Sequence, residues 1–331
     1  MKQFICLVFL LIGSLTQAQL APEEVKHLIF EGAGIRGVAY VGAHKQLNKM
    51  GVLEQLEGVG GTSAGALTAL LVATGYDPNE VEEILFNLNL DEFNDGAYLF
   101  AGGINRLSKD FGWYKTESLQ ELVEQFLTKK GFSADISFKE LHEQSGMDLR
   151  VAVTRLNHQE ARVLGVATYP NMEVADAVLA SMSIPLYFSP VIFNEAGERI
   201  EEVTKASDFM AMDGGILMNF PIGLFDEKES GKVQRNPCVL GIRVDTQDQF
   251  SKDVEDRSLS PQNIEDLPSY LNAFYVLVLE SINRQDLTED DWLRTVRINC
   301  GNQGPKIKEL TLEQKQALVK AGEEAVKVYF K

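Results

Sequence analysis

The sequence Gly61-Thr62-Ser63-Ala64-Gly65 follows a short apolar segment and precedes a helical pattern over residues 64–74. A Gly-x-Ser-x-Gly pentapeptide between a strand and a helix is typical of a sharp turn, which exposes the serine hydroxyl near the first N–H groups of the helix. The flanking glycines, Gly61 and Gly65, allow the chain to bend this sharply. The pattern therefore predicts a strand–turn–helix unit with Ser63 as a candidate nucleophile.

A second glycine-rich sequence, Gly32-Ala33-Gly34-Ile35-Arg36-Gly37, lies between an apolar strand at residues 27–30 and a helical pattern at residues 38–50. It matches the Gly-x-Gly-x-x-Gly fingerprint of dinucleotide-binding loops. Such a site needs an acidic residue at the end of the next strand to hold the ribose. That strand ends in Gly61-Thr62-Ser63 instead, so nucleotide binding is the weaker alternative for this loop.

The same loop can form an oxyanion hole. Its glycines expose backbone N–H groups at the start of a helix, where negative charge is stabilised. The candidate residues of this hole are Gly32, Ala33, Gly34, Arg36 and Gly37. For the Arg36 side chain two roles stay open, stabilising the loop or lying near the anion, and we favour the structural one.

A nucleophilic serine needs a base, and the usual base is histidine. The chain has four histidines: His27, His44, His142 and His158. All of them precede the candidate acid Asp213, so the Ser…Asp…His order of the α/β-hydrolases is not available. We therefore expect all four histidines to be structural or surface residues.

A carboxylate can accept the serine proton directly when it is close to the hydroxyl and partly desolvated, because desolvation raises its pKa. Asp213 is the best candidate, since it ends the apolar segment 209–212 and is followed by Gly214 and Gly215, which permit a tight turn. Asp-Gly-Gly alone is a common turn. Its combination with the two upstream glycine motifs favours the functional interpretation.

These three motifs, in this order, resemble the patatin-like phospholipase family. Two further stretches are similar to the family, Ala180-Ser181-Met182-Ser183-Ile184-Pro185 and Asn219-Phe220-Pro221, so the resemblance covers about residues 27–244. One departure is Ala33, where many members carry a third glycine; the backbone N–H is preserved. The resemblance implies a Ser63–Asp213 dyad, an acyl-enzyme intermediate, a phospholipid or other acyl-ester lipid as substrate, and no need for a metal or organic cofactor.

Strand and helix patterns alternate along the chain, which predicts a three-layer α/β/α sandwich with a largely parallel sheet. Predicted strands lie at residues 27–30, 59–61, 149–154, 161–167, 209–212 and 239–244. Predicted helices lie at residues 38–50, 64–74, 117–129 (capped by Thr116), 174–182, 263–283 (with a break at Pro268 as an alternative) and 312–330, and another begins at Pro78. We expect one domain over residues 19–331, with a motif-bearing core at about 27–244 and a helical part at about 245–331.

Residues 88–114 lose this periodicity and mix aromatic residues with glycines. An irregular insertion beside an active site is one interpretation, as a lid, and a packed surface loop is the other.

The formal net charge of −17 argues against binding of bare nucleic acid and against broad electrostatic docking to an anionic membrane. Peripheral membrane contact would have to use apolar surface. The two cysteines beyond residue 18, Cys238 and Cys300, could pair in an oxidising compartment, which the sequence does not decide.

The first 18 residues are typical of a secretory signal peptide. Lys2 precedes an apolar stretch from Phe4 to Leu15, and Thr16-Gln17-Ala18 ends it with a small-x-small pattern. The alternative, a membrane anchor, needs roughly 20 apolar residues. We expect export to a periplasm or to the medium, with or without membrane association.

The sequence therefore predicts a lipolytic acyl hydrolase. Two alternatives stay open, a carboxylesterase that acts on non-lipid substrates and a catalytically inactive lipid-binding protein of the same fold.

Overall fold

The computed structural model describes residues 20–88, 109, 111–114, 116–229, 232–255, 258–265, 267–285, 287–303 and 310–331. The predicted signal peptide, residues 1–18, lies outside the described residues. Most of the irregular segment at residues 88–114 lies outside them as well, so its role as a lid or as a packed loop stays a prediction.

Thirteen strands are described. They are β1 (His27–Phe30), β2 (Gly58–Gly61), β3 (Gly112–Tyr114), β4 (Asp148–Arg155), β5 (Glu160–Gly165), β6 (Leu186–Phe188), β7 (Val191–Phe193), β8 (Arg199–Ile200), β9 (Phe209–Asp213), β10 (Glu227–Glu229), β11 (Lys232–Gln234), β12 (Val239–Asp245) and β13 (Thr295–Asn299).

The main sheet of the described residues has the order β13-β12-β1-β2-β4-β9-β7-β8, and β5 pairs with β4. The five strands from β13 to β4 are parallel to one another. The strands β5, β9, β7 and β8 extend the sheet in antiparallel pairs. Small two-stranded sheets join β10 to β11 and β3 to β6.

Helices cover both faces of the sheet. The described α-helices are α1 (Ala39–Lys49), α2 (Ala64–Ala73), α3 (Pro78–Asn87), α4 (Glu117–Lys129), α5 (Phe138–Ser145), α6 (Val174–Met182), α7 (Gly215–Met218), α8 (Gln247–Glu255), α9 (Leu267–Gln285), α10 (Glu289–Leu293) and α11 (Leu312–Tyr329).

The alternation of side chains along β1 shows how the two faces are buried. Leu28 and Phe30 belong to the large core under α1 and α2, whereas Ile29 belongs to a smaller apolar cluster with Phe220 on the other face. Since successive side chains of a strand point to opposite faces, both faces of the central sheet are covered. The predicted three-layer α/β fold around a largely parallel sheet is confirmed.

Three local predictions differ from the structure. Helix α9 begins at Leu267 rather than at Asn263 and is not broken, because Pro268 lies in the first turn, where its missing N–H removes no helical hydrogen bond. Thr116 has helical backbone angles and makes no side-chain cap, whereas a capping residue is normally extended. The part beyond Val244 also contributes a strand, β13, to the sheet.

The capping box predicted for the last helix is present. The Thr311 hydroxyl accepts a hydrogen bond from the Gln314 N–H at 3.3 Å, and the Gln314 side chain accepts one from the Thr311 N–H at 2.9 Å. Cys238 and Cys300 are both free thiols. Within the described ranges, no helix combines the length and apolar character that crossing a bilayer requires.

Candidate active site

Ser63 lies on a strained turn between β2 and α2. Its backbone has φ 54° and ψ −123°, a conformation that costs free energy for any residue other than glycine. Gly61 and Gly65 make the turn possible because the chain passes very close to β1. A Cβ atom on Gly65 would collide with the Phe30 carbonyl oxygen, and one on Gly61 would lie 2.7 Å from the same oxygen. The predicted elbow therefore needs glycine at both positions, because a side chain at either one would collide with β1.

Strand β4 brings Asp213 to Ser63. β5 occupies one edge of β4, and β2 and β9 share the other edge from opposite directions. The last residue of β2, Gly61, pairs with Val151, and the last residue of β9, Asp213, pairs with Val153. Two residues of a strand span about 6–7 Å. The ends of β2 and β9 therefore meet, although Ser63 and Asp213 are far apart in the sequence.

The Asp213 carboxylate is buried, with 1% of its surface exposed. Its Oδ1 accepts a hydrogen bond from the Gly215 N–H at 2.7 Å. Its Oδ2 is buried without a hydrogen-bond partner among the described residues. Burial raises the pKa of Asp213 to about 6, and the Gly215 N–H and the nearby Ser63 hydroxyl oppose this rise. This oxygen is therefore free to accept a proton from the serine.

The glycine-rich loop runs beside the elbow, and its N–H groups differ in whether they already donate a hydrogen bond. The Gly32 N–H donates to the Asn219 carbonyl oxygen at 2.9 Å, so it is already paired. The N–H groups of Ala33 and Gly34 donate no hydrogen bond to a residue that the structure describes. Gly34 and Gly37 line the same cleft as Ser63. Of the predicted oxyanion residues, Ala33 and Gly34 therefore have N–H groups that are available to an anion.

Arg36 stabilises the loop from within. Its side chain is buried, and its Nε donates to the Ala33 carbonyl oxygen at 3.3 Å. It is not among the residues that line the Ser63 cleft. This geometry agrees with the structural alternative for Arg36.

Ser63 opens into a cleft that is partly open to solvent. The walls are largely apolar and include Leu67, Leu85, Leu119, Met182, Ile184 and Phe188. Largely apolar walls beside a few polar groups are typical of a site for an apolar ligand. None of the described residues lining it is a histidine.

The four histidines lie elsewhere. His27 stacks on Phe225, and His158 contacts the Arg155 side chain. His44 is buried in α1, and this burial lowers its pKa to about 4. His142 lies near the end of α5.

Two residues that support the elbow and the glycine-rich loop were not identified as site residues from the sequence. Ser181 accepts a hydrogen bond from the Ser63 N–H at 2.9 Å and donates one to the Ala152 carbonyl oxygen at 2.7 Å. Asn219 contacts the oxyanion loop. Both residues belong to the stretches that resemble the family, and this resemblance was the signal that could have identified them. Their hydrogen-bond partners are remote in the sequence, so no local pattern indicates the contacts.

The chain belongs to the patatin-like phospholipase family, whose model matches residues 28–226. YqhO of Bacillus subtilis, an uncharacterized protein, is 30% identical over 225 residues, which are 65% of this chain and 69% of that protein. A probable lipid hydrolase, 463L, of Invertebrate iridescent virus 6 is 27% identical over 212 residues, which are 62% of this chain and 64% of that protein.

Triacylglycerol lipase 4 of Saccharomyces cerevisiae is 27% identical over 215 residues, 60% of this chain and 22% of the lipase. Among solved structures, VipD from Legionella pneumophila superposes with a TM-score of 0.60 at 17% identity, over 93% of this chain and 67% of VipD, and shows the fold alone. The matched stretch thus spans about two thirds or less of the relatives' own length.

Proposed function

We propose that this protein hydrolyses acyl esters of lipids with Ser63 as nucleophile and Asp213 as base. The observation that carries the proposal is the buried Asp213 carboxylate beside the strained serine turn, with Oδ2 unpartnered among the described residues and the pKa raised to about 6. A base with a pKa near the working pH is what proton transfer from a serine requires. Membership of a family of lipid hydrolases supports the same conclusion.

The reaction proceeds in two balanced steps. Asp213 Oδ2 takes the proton of Ser63 as its Oγ bonds to the carbonyl carbon, and the Ala33 and Gly34 N–H groups stabilise the negative oxygen. The ester C–O bond then breaks, and Asp213 returns the proton to the leaving alcohol. In the second step a water molecule attacks the acyl-enzyme, Asp213 accepts its proton, and the fatty acid leaves as Ser63 regains a proton.

We propose a fatty-acyl lipid, such as a phospholipid, as the substrate, because the cleft beside Ser63 has largely apolar walls. An acyl chain buried there gains about 0.8 kcal/mol for each CH₂ group removed from water. A short, polar ester would leave these walls in contact with water. The apolar lining therefore favours a lipid over a non-lipid ester.

The test is a substrate panel for purified residues 19–331, with phospholipids, triacylglycerols and a short-chain soluble ester, and release of free fatty acid as the readout. We expect turnover of a long-chain ester, and a loss of at least roughly 10³-fold in Ser63→Ala. The matched control is Ser145→Ala, since the Ser145 hydroxyl makes its hydrogen bonds at the end of its own helix, where it donates to the Leu141 carbonyl oxygen and accepts from the Met147 N–H. Hydrolysis of the soluble ester alone would favour the non-lipid carboxylesterase, and lipid binding without turnover would favour the inactive lipid-binding protein.

We also propose that the protein contacts a zwitterionic lipid surface through α9. Tyr270, Phe274 and Leu277 share one face of this helix and are 55%, 60% and 54% exposed. Residues 267–279 carry no charge, in a chain with a net charge of −17. An uncharged apolar face on an acidic protein suits a surface without net charge better than an anionic one.

Sedimentation with phosphatidylcholine vesicles tests this contact. The double variant Tyr270→Ser, Phe274→Ser should bind less than the wild type, with little dependence on salt, whereas Val328→Ser, an exposed apolar residue of α11, should bind normally. Binding that requires anionic lipid, or wild-type binding by the double variant, would contradict the proposal.

Export through residues 1–18 is a further proposal, supported by the apolar stretch from Phe4 to Leu15 and the small residues that follow it. The mature protein is expected to begin at Gln19, which N-terminal sequencing of the exported protein determines. An uncleaved N-terminus would contradict this proposal.

A further inference from the structure

Asn219 connects the two loops that hold the candidate catalytic groups. It follows α7, the short helix that begins directly after the Asp213-Gly214 turn. Its side-chain Nδ2 donates to the Gly32 carbonyl oxygen at 3.1 Å. Its backbone carbonyl oxygen accepts from the Gly32 N–H at 2.9 Å. Both sides of the Gly32 residue are therefore fixed by one asparagine, immediately before Ala33 and Gly34.

The serine elbow is tied to the same segment. The Thr62 hydroxyl donates to the Met218 carbonyl oxygen at 2.7 Å, one residue before Asn219. A Cβ atom on Gly32 would collide with Asn219 Oδ1, and a Cβ atom on Gly215 would lie 3.0 Å from it. The amide group thus packs between the oxyanion loop and the aspartate loop, with 4% of Asn219 exposed.

A buried ion pair anchors this asparagine from behind. Asn219 Nδ2 also lies 3.3 Å from Glu31 Oε1, which forms an ion pair at 2.8 Å with Arg243. The second carboxylate oxygen of Glu31 accepts from the Val244 N–H at 3.0 Å. Arg243 in turn pairs with Glu280 of α9 at 2.8 Å. Since Arg243 and Glu280 lie beyond residue 226, residues outside the family-matched range take part in this support.

We propose that Asn219 is a positioning residue, which holds the Ala33 and Gly34 N–H groups at a fixed place relative to Ser63 and Asp213. The inference rests on the proposed function, since it assigns these N–H groups to the oxyanion. Asn219 acts through the Gly32 peptide and touches no reacting atom. Preorganised donors stabilise a transition state because they need no reorientation during the reaction, so loosening their support lowers the rate of the chemical step.

Asn219→Ala removes the amide and keeps the backbone. With a soluble ester as substrate, kcat should fall roughly 10- to 100-fold, because a misplacement of about 1 Å in a site can cost 10²-fold. KM should stay within about twofold, since the apolar cleft is unchanged. The acid limb of the pH profile should also stay in place, because Asp213 keeps its burial and its Gly215 hydrogen bond. Because a smaller folded fraction would also lower the apparent kcat at constant KM, kcat is divided by the folded fraction that circular dichroism measures.

Gln249→Ala is the matched control. The Gln249 side chain is a buried amide that donates to the Asp253 carboxylate at 2.9 Å and to the Ser258 carbonyl oxygen at 3.0 Å, the same kinds of partner that Asn219 has. We expect a comparable loss of thermal stability in both variants. In Gln249→Ala, unlike Asn219→Ala, kcat should change less than about twofold. If Asn219→Ala does not fold, Asn219→Ser, which keeps a hydroxyl group, is measured in its place, with a decrease in kcat of at least roughly threefold expected.

Wild-type kcat in a folded Asn219 variant would overturn the positioning role, and so would a decrease explained entirely by a smaller folded fraction. Equal losses of kcat in Asn219→Ala and Gln249→Ala would overturn it as well. These outcomes leave the proposed function intact, because that function fails only if the wild-type protein itself shows no turnover that depends on Ser63.

Discussion

At the residue scale, Asp213 imposes a free-energy cost on the folded protein. Burial raises its pKa from 3.8 to about 6, and no cation among the residues that the structure describes opposes this rise. A carboxyl group with a higher pKa in the folded state binds its proton more tightly there, so its stabilising contribution is complete below the unfolded pKa and is lost as pH rises from about 4 through 6. A shift of about 2 units corresponds to roughly 3 kcal/mol.

Asp213→Asn should therefore inactivate the protein and stabilise it. Asparagine keeps an oxygen that can accept from the Gly215 N–H but carries no charge, so the free energy of unfolding should rise at pH 8 by up to roughly 3 kcal/mol. Near pH 4 the gain should fall below roughly 1 kcal/mol, because Asp213 is then protonated in the folded state and about half protonated in the unfolded state. Urea denaturation at the two pH values measures this, with the exposed Asp248→Asn as control; a variant less stable than the wild type at pH 8 would contradict the account.

The same pKa predicts the pH dependence of activity. Only the ionised carboxylate accepts the Ser63 proton, so kcat/KM should fall tenfold for each pH unit below about 6 and level off above it. Ester hydrolysis across about pH 4.5 to 9 gives the profile. An acid limb near pH 4, the ordinary range for aspartate, would show that Asp213 is not desolvated in the working enzyme.

The candidate residues of the site could be selected from local motifs, but the residues that support them could not. Ser63 and Asp213 follow from local motifs, because an elbow and a tight turn need glycines at fixed positions. Asn219 and Ser181 act through hydrogen bonds to Gly32 and Ser63, which lie 187 and 118 positions away. No local pattern encodes such contacts, and only the folded chain shows that the Gly32 N–H is already paired.

At the element scale, helices were predicted more accurately than strands. Helix α6 was predicted with its observed bounds, and the Thr311 capping box marks the start of α11, because periodicity and capping are local. The short strand β13 is stabilised by β12, whose paired residues lie 54 positions earlier in the sequence, so its composition alone does not define it. The register of β9 on β4, which brings Asp213 to the elbow, depends on pairing of the same kind.

The contact between α1 and α11 leads to a prediction for stability. A Cβ atom on Gly42 of α1 would collide with the Val319 carbonyl oxygen of α11, and one on Gly322 would collide with the Ala39 carbonyl oxygen of α1. Gly42→Ala should therefore separate the two helices and lower the free energy of unfolding by about 1–3 kcal/mol, although alanine favours a helix. Chemical denaturation measures this loss.

Lys320→Ala is the control for this prediction, because Lys320 lies on α11 with its side chain exposed. It should change stability by less than about 0.5 kcal/mol. A Gly42→Ala variant as stable as this control would show that the two helices can move apart without cost.

At the scale of the whole molecule, the residues beyond the family-matched range are part of the same fold. β12 and β13 extend the parallel sheet, and α11 packs against α1. Arg243, Arg284 and Arg297 join Asp245 in a largely buried ionic network that links β12, α9 and β13. A paired, buried network of this kind is costly to break, because a lone charge would be left without its partner.

The most direct test of the central claim is covalent labelling of the whole protein with a fluorophosphonate, followed by intact mass and peptide mapping. We expect one adduct, on Ser63, in the wild type and in Ser145→Ala, no adduct in Ser63→Ala, and labelling slowed at least roughly 10²-fold in Asp213→Asn. An adduct on another serine, or labelling of Asp213→Asn at the wild-type rate, would contradict the assignment of Ser63 and Asp213 as nucleophile and base.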